Sequence, residues 1–176
     1  MSDVSATPLG LDRVPRATLV QLRSFEAVAR LGGVGKAAKA LAKKMLAWSP
    51  SDNLGVRMLL GDINLLNGNT KTARKSFLKE AAHSPAHWYQ AGQIAFKNGD
   101  YIAACTYIRR GIAVNPYIAE GLTGRTTLDE HLYWHGSNRN SPEWAANYLN
   151  APICTWEPEE IDFVDWVFNT SHVLKE

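Results

Sequence analysis

Residues 60–85 read LGDINLLNGNTKTARKSFLKEAAHSP, and residues 91–116 read AGQIAFKNGDYIAACTYIRRGIAVNP. Laid over one another without a gap, they agree at five places. Gly61 falls on Gly92, Asn67-Gly68 on Asn98-Gly99, Ala73 on Ala104, Phe77 on Ile108 and Pro85 on Pro116, every pair 31 residues apart. Each shared position has a physical task. A glycine inside a helix costs about 1 kcal/mol against alanine, so Gly61 and Gly92 are tolerated where a second helix comes close. Asn-Gly ends the first helix, because glycine enters the left-handed conformation of a helix C-terminus at little cost. Thr70 and Asp100 are then the expected N-caps of the second helix. Ala73 and Ala104 face back across the turn, and Pro85 and Pro116 stop one helix and open the next. The unit is helix, tight turn, helix, proline.

Working outward, an earlier and more worn unit precedes this pair. A helix is predicted over LVQLRSFEAVARL, with Leu19, Leu22, Phe25 and Ala29 on one face, and Gly32-Gly33 breaks it. AAKALAKKMLAWSP, from Ala37 to Pro50, supplies a second helix with Ala38, Leu41, Met45 and Leu46 on its apolar side. Ser51-Asp52-Asn53 is the cap signal for the next. Downstream, a helix runs from Pro116 to about Leu122 with Gly124 as its stop, and residues 125–141 read as loop. Ser141-Pro142-Glu143 opens a helix carrying Trp144, Ala145, Tyr148 and Leu149. Another begins at Pro158, with Ile161, Val164, Asp165 and Phe168 on adjoining turns and Glu159, Glu160 and Asp162 suited to its positive N-terminal end.

At these residues the sequence resembles the tetratricopeptide repeat, whose usual period is about 34 residues. The shorter period implies one tighter connection per unit and an altered superhelical curvature. MLAWSPSDNLGVRMLL, NPYIAEGLTGR and PEWAANYLNAPICTW also resemble stretches of a little-characterised group of tetratricopeptide-like proteins, a likeness covering roughly residues 37–170 and implying no reaction. The expected fold is therefore all-α, a short right-handed α-solenoid of such helical hairpins. It divides into a mobile N-terminal arm (1–16), the hairpins (17–124), and a loop with C-terminal capping helices (125–176). A different likeness lies in LRSFEAVARLGGVGKAAKAL, residues 22–41, which resembles the opening of LysR-type transcription regulators. The helix that would enter the major groove in that family does not follow, since the chain continues as AKKMLAWSPSDN.

Bulk composition fits one globular domain. Of 176 residues, 45% are hydrophobic and 20% charged, so a core can form. No apolar run approaches the roughly 18 residues a membrane span needs. The start, MSDVSATPLG, lacks the basic and apolar regions of a secretory signal. Cys105 and Cys154 lie outside any CxxC spacing and read as reduced thiols, so a cytoplasmic location is expected. Net charge is +2 but uneven: residues 1–50 carry eight basic and three acidic side chains, and residues 131–176 carry two basic and seven acidic. A basic front and an acidic tail are the pattern by which two copies attract head to tail; solvated helix faces leave the same pattern.

The chemistry-bearing constellations are weak. His131 and His135, four apart, would share a helix face, but no third ligand follows and Gly136 ends the helix. His83 and His87 have the same spacing across Pro85. Glu157, Glu159 and Glu160 sit where a helix start wants acids, not as a pair facing a pocket. No GxSxG, GxxxxGKS/T or GxGxxG pattern occurs. The sequence thus predicts no catalytic residue, no metal and no cofactor.

What remains is a surface. In stacked hairpins the first helix of each pair lines one face, where peptides and partner helices bind. Met58, Asp62 and Leu65 from one pair and Tyr89, Gln93, Phe96 and Lys97 from the next are the candidate partner-binding residues. The expected partner is a protein or peptide, with homodimerisation also open. The competing expectation is that the chain's own C-terminal segment or its N-terminal arm covers them. Nucleic-acid binding through Lys36, Lys39, Lys43 and Lys44 is the alternative function.

Overall fold

The computed structural model describes residues 34–52, 55–129, 138–151 and 154–173. Among these residues every regular element is a helix: α1 (Val34–Trp48), α2 (Val56–Leu66), α3 (Thr70–Glu80), α4 (Pro85–Lys97), α5 (Tyr101–Val114), α6 (Pro116–Leu122), α7 (Pro142–Leu149) and α8 (Pro158–Val173). The expected N-terminal arm, the helix expected around residues 19–31, and His131 and His135 lie outside the described residues. From α1 to α7 most helices pack on the next in sequence, and α8 returns to pack on α5 and α6.

The two Asn-Gly turns are built alike. Gly68 and Gly99 take φ of 70° and 74°, the left-handed region that favours glycine. Gly68 N–H donates to the Leu65 carbonyl and Asn69 N–H to that of Asn64, both at 2.9 Å. Thirty-one residues on, Gly99 donates to Phe96 and Asp100 to Ala95, again at 2.9 Å. These bonds satisfy carbonyls that a helix end would otherwise leave open. The N-caps differ. Asp100 accepts from Ala103 N–H at 3.2 Å, but Thr70 is already the first helical residue, and Asn69 stands at the cap without a side-chain bond. The expected Thr70 cap is thereby corrected: in both turns the helix begins two residues after the left-handed glycine, which puts Asn69, like Asp100, at the cap.

Close helix approach occurs where the mid-helix glycines stand. A Cβ on Gly92 would lie 2.6 Å from Ile108 Cδ1, and one on Gly61 would run into the Phe77 ring. Ala73, Ala104, Phe77 and Ile108 are all buried. Two apolar clusters result. Ala73, Phe77, Ala91 and Ile94, joined by Leu65, Leu78 and Tyr107, bind α2 to α5 together. Tyr89, Ile108, Ile118, Ala145, Val164, Val167 and Phe168 belong to the second, which α4 and α5 share with the C-terminal helices. Burying each such large side chain contributes roughly 1.5–3 kcal/mol.

Two expected stripes are rotated. On α1 the buried residues are Ala37 and Ala42, while Ala38, Leu41, Met45 and Leu46 are half-buried. The small side chains face α2 because the two helices approach closely: Gly35 sits against the Asn67 side chain, and Lys39 Nζ donates to Asn64 Oδ1 at 2.8 Å. On α8, Val167 takes the core position, and Asp165 instead pairs with Arg125, which also donates to Asn169 Oδ1 at 2.8 Å. Elsewhere the local signals hold. Asp52 accepts from Val56 and Arg57 N–H at 2.7 and 2.8 Å, Gly124 follows α6 with φ of 69°, and Ser141 accepts from Trp144 N–H at 3.2 Å.

Candidate interaction surface

On α4, Tyr89, Gln93 and Phe96 recur at steps of four and three, so they share one helix face. α4 begins at Pro85 after the extended Ser84, and this start fixes the face's direction. The chain's own C-terminal elements pack on it at Gln93, Phe96 and Lys97. Tyr89 is fully buried in the second cluster, its hydroxyl donating to the Asn115 carbonyl at 2.8 Å. It is a core side chain, and burial holds its phenol far above the ordinary value. Gln93 is buried and its Nε2 donates twice, to the Thr155 carbonyl at 2.6 Å and to Glu160 Oε2 at 2.7 Å. Phe96 packs on Phe163 and Tyr101, with ring centroids 4.8 and 5.5 Å apart. Lys97 Nζ lies 2.9 Å from Glu160 Oε1.

Glu160 is the centre of this contact. It is 3% exposed, yet a carboxylate is costly to bury unless paired and hydrogen-bonded. Three donors meet that need: Gln93, Lys97 and the Glu157 backbone N–H at 3.0 Å, which also caps α8. The residues before it, Cys154 to Glu157, have no regular structure and lie along α4 through the Gln93–Thr155 bond. Trp156 Nε1 donates to Tyr148 Oη at 3.3 Å. Burial pushes the Tyr148 phenol and the Cys154 thiol up, so both stay protonated.

The chain matches no protein-family model, no curated protein and no solved structure.

The α2 candidates are less enclosed. Met58, Asp62 and Leu65 are half-buried. Leu65 leans on the Phe77–Ile94 cluster. Asp62 accepts from Gln90 Nε2 at 2.9 Å, and desolvation raises its carboxyl from 3.8 to about 6, opposed by that bond. The structure thus joins Asp62 to α4 through Gln90, a residue the sequence did not single out, and leaves the Met58 side chain half-buried. Of the histidines at 83 and 87, the first is exposed and the second buried against Phe77, with ring centroids 5.2 Å apart. Desolvation lowers His87 from 6.5 to about 4, against the Glu80 and Met58 carbonyls. Among the described residues no three His, Cys, Asp or Glu converge as a metal would require, and no helix is long and apolar enough to cross a membrane.

Sequence reasoning missed Gln90, Thr155 and Glu160 as members of this surface. Glu160 carried a signal, an acid at the third position of a helix, but that signal speaks only of capping. Its partners on α4 are more than 60 residues away in the chain. Chemically the arrangement offers amide donors, one ammonium and aromatic faces to an extended backbone with an acidic end.

Proposed function

We propose that the chain is a helical-repeat, tetratricopeptide-like protein-interaction module whose α2–α4 face receives an extended acidic segment. Residues 154–157, with Glu160 from the first turn of α8, hold that place in the isolated chain. The observation that carries this reading is the pair of contacts at Gln93 and Lys97: a side-chain amide holding a backbone carbonyl at 2.6 Å, and an ammonium holding the acid that follows at 2.9 Å. Main-chain recognition with a charged anchor is how extended peptides are generally bound. The matched turns and matched glycine contacts, offset by 31 residues, support the helical-repeat part. Met58, Asp62 and Leu65, half-buried on α2, extend the same face for a longer partner.

A tethered segment competes at an effective concentration of about 1 mM or more, so an outside peptide binds weakly until the tether is loosened. The test uses the full chain, Glu160→Gln in the full chain, and a labelled peptide of residues 151–162 with Cys154 replaced by serine. Binding measured by fluorescence anisotropy is expected to be several-fold tighter to Glu160→Gln than to the unaltered chain. Adding Lys97→Ala to that variant should remove the gain. Absence of saturable binding to either protein sinks the proposal.

A further inference from the structure

Positive charge is concentrated on α1 and on the second helices of the two hairpins, α3 and α5. Together these three hold ten basic residues and one acid, Glu80. α1 and α3 both pack on α2, and α3 and α5 both pack on α4. Polar contacts tie the three into one layer. Asn64 accepts from the Lys39 ammonium of α1 at 2.8 Å and donates to Ser76 Oγ of α3 at 3.4 Å. Arg74 of α3 pairs with Asp100, the cap of α5, at 3.4 Å.

The remaining cations of this layer face water. Lys71, Lys75 and Lys79 recur at steps of four on α3, opposite the buried Ala73 and Phe77, and all three are exposed. Lys36 and Lys43 are exposed too, and flank Lys39 on α1 at steps of three and four. Among the described residues none of these five forms an ion pair, whereas Arg57, Lys97 and Arg125 on other elements all do. Like charges one helical turn apart repel, so the α3 row does not support its own helix. The alternative read from the sequence rested on α1 alone; the structure ties Lys39 to Asn64 and moves the weight of unpaired charge to α3.

An aromatic pair stands at the end of that row. Arg74 sits at the start of α5 and the Phe77 cluster reaches Tyr107 further along it, so α3 and α5 run parallel. Tyr107 therefore stands beside the last turn of α3, which carries Lys79. The Trp88 ring lies 6.1 Å from that of Tyr107, and the exposed Arg110 guanidinium lies over Trp88 at 5.1 Å. A row of ammonium groups ending at a guanidinium backed by an aromatic ring matches a strand that carries regular phosphates and unpaired bases. An acidic peptide would use the lysines but offers no base to stack, and a duplex keeps its base faces inside its own stack.

We propose that the outer side of α1, α3 and α5 binds a single strand of nucleic acid. Its phosphates follow Lys71, Lys75 and Lys79, with Lys36 and Lys43 beside them, and a base stacks on the Arg110 guanidinium that Trp88 supports. This surface shares no residue with the α2–α4 face and is tested independently of it.

The test is fluorescence anisotropy of the full chain with a labelled single-stranded polyuridylate of about 20 nucleotides. Saturable binding at about 50 mM salt is expected, with log K falling against log salt by roughly 0.7 for each cation engaged. Changing Lys75→Glu and Lys79→Glu together should weaken binding about tenfold or more and leave the far-UV circular dichroism spectrum unchanged. Arg110→Lys keeps the charge but loses the guanidinium plane, and should weaken binding several-fold. Absence of saturable binding at about 100 μM protein, the weak end of non-specific nucleic-acid affinity, overturns the proposal. So does binding indifferent to the Lys75 and Lys79 changes or to Arg110→Lys, or a duplex of the same length bound as tightly. Displacement by polyglutamate of equal charge as effective as by unlabelled polyuridylate overturns it too, and would mark an acidic protein as the partner.

Discussion

Replacing Gly92 by alanine sets two effects of opposite sign against each other. On an isolated helix the change favours folding by about 1 kcal/mol, since alanine loses less backbone freedom. In this chain the new Cβ would stand 2.6 Å from Ile108 Cδ1, 2.8 Å from its Cγ1 and 3.4 Å from the Ala104 carbonyl oxygen. Ile108 is buried in the second cluster and cannot swing clear, and the carbonyl belongs to the backbone of α5. Overpacking of this kind costs about 1–3 kcal/mol. The net expectation is a loss of about 1 kcal/mol, equivalent to a fall in Tm of roughly 2–4 °C for a chain of this size. The decisive measurement is a double-mutant cycle by urea unfolding of the full chain. Ile108→Ala alone should cost about 2–5 kcal/mol through the cavity it leaves. In that background both clashing atoms are gone, so Gly92→Ala should now stabilise by about 1 kcal/mol. The sign reversal amounts to a coupling of about 2 kcal/mol, well above the non-additivity of distant sites. If Gly92→Ala stabilises equally in both backgrounds, α4 and α5 do not approach as described and the role given to the glycine is wrong.

Phe77→Ala should be among the most destabilising single changes, costing about 3–5 kcal/mol in urea unfolding, because the ring is fully buried and fills the space Gly61 leaves. Asp52→Ala removes the acceptors of two first-turn N–H groups on α2, one on each carboxylate oxygen, and should cost about 1–2 kcal/mol, with Asp52→Asn recovering only part of it because an amide offers one acceptor oxygen. Acid stability should show two opposed groups. Asp62 titrates near 6 when folded and 3.8 otherwise, so the folded chain gains its proton first and this group adds stability as pH falls from about 6 to 4. His87 titrates near 4 when folded and 6.5 otherwise, so the unfolded chain gains its proton first and this group removes stability over pH 6.5 to 4. Asp62→Asn should therefore raise stability at pH 7 by about 1–2 kcal/mol, below the whole displacement because water still reaches the carboxylate. It should also steepen the loss of stability on acidification; an unchanged pH profile would show that Asp62 is not desolvated as described.

Much of the chain was legible because helix punctuation is local. Asn67-Gly68 and Asn98-Gly99, Pro116 with Gly124, Ser141-Pro142 and Pro158 act through bonds spanning a few residues, so their identities suffice to place these helix starts and stops where they occur. Thr70 was the wrong choice although the 31-residue offset already pairs Asp100 with Asn69, the residue that stands at the cap. Asp165 and Val167 escaped for a different reason: two readings of the α8 stripe differ by a small rotation, and packing against α5 and α6 selects one.

The candidate surface divides the same way. Sequence alone determined that the described residues form helices and that Tyr89, Gln93 and Phe96 share one side of α4, because side chains at steps of three and four must share a helix face. Only the tertiary structure decided what lies on that face. The Gln93–Glu160 contact joins residues far apart in the chain, and no local rule ranks the carboxylates at 157, 159 and 160 for burial. That choice is made where Lys97, Gln93 and a backbone N–H converge tightly enough to offset the desolvation of one carboxylate, a condition on three-dimensional position to which residue identity alone is blind.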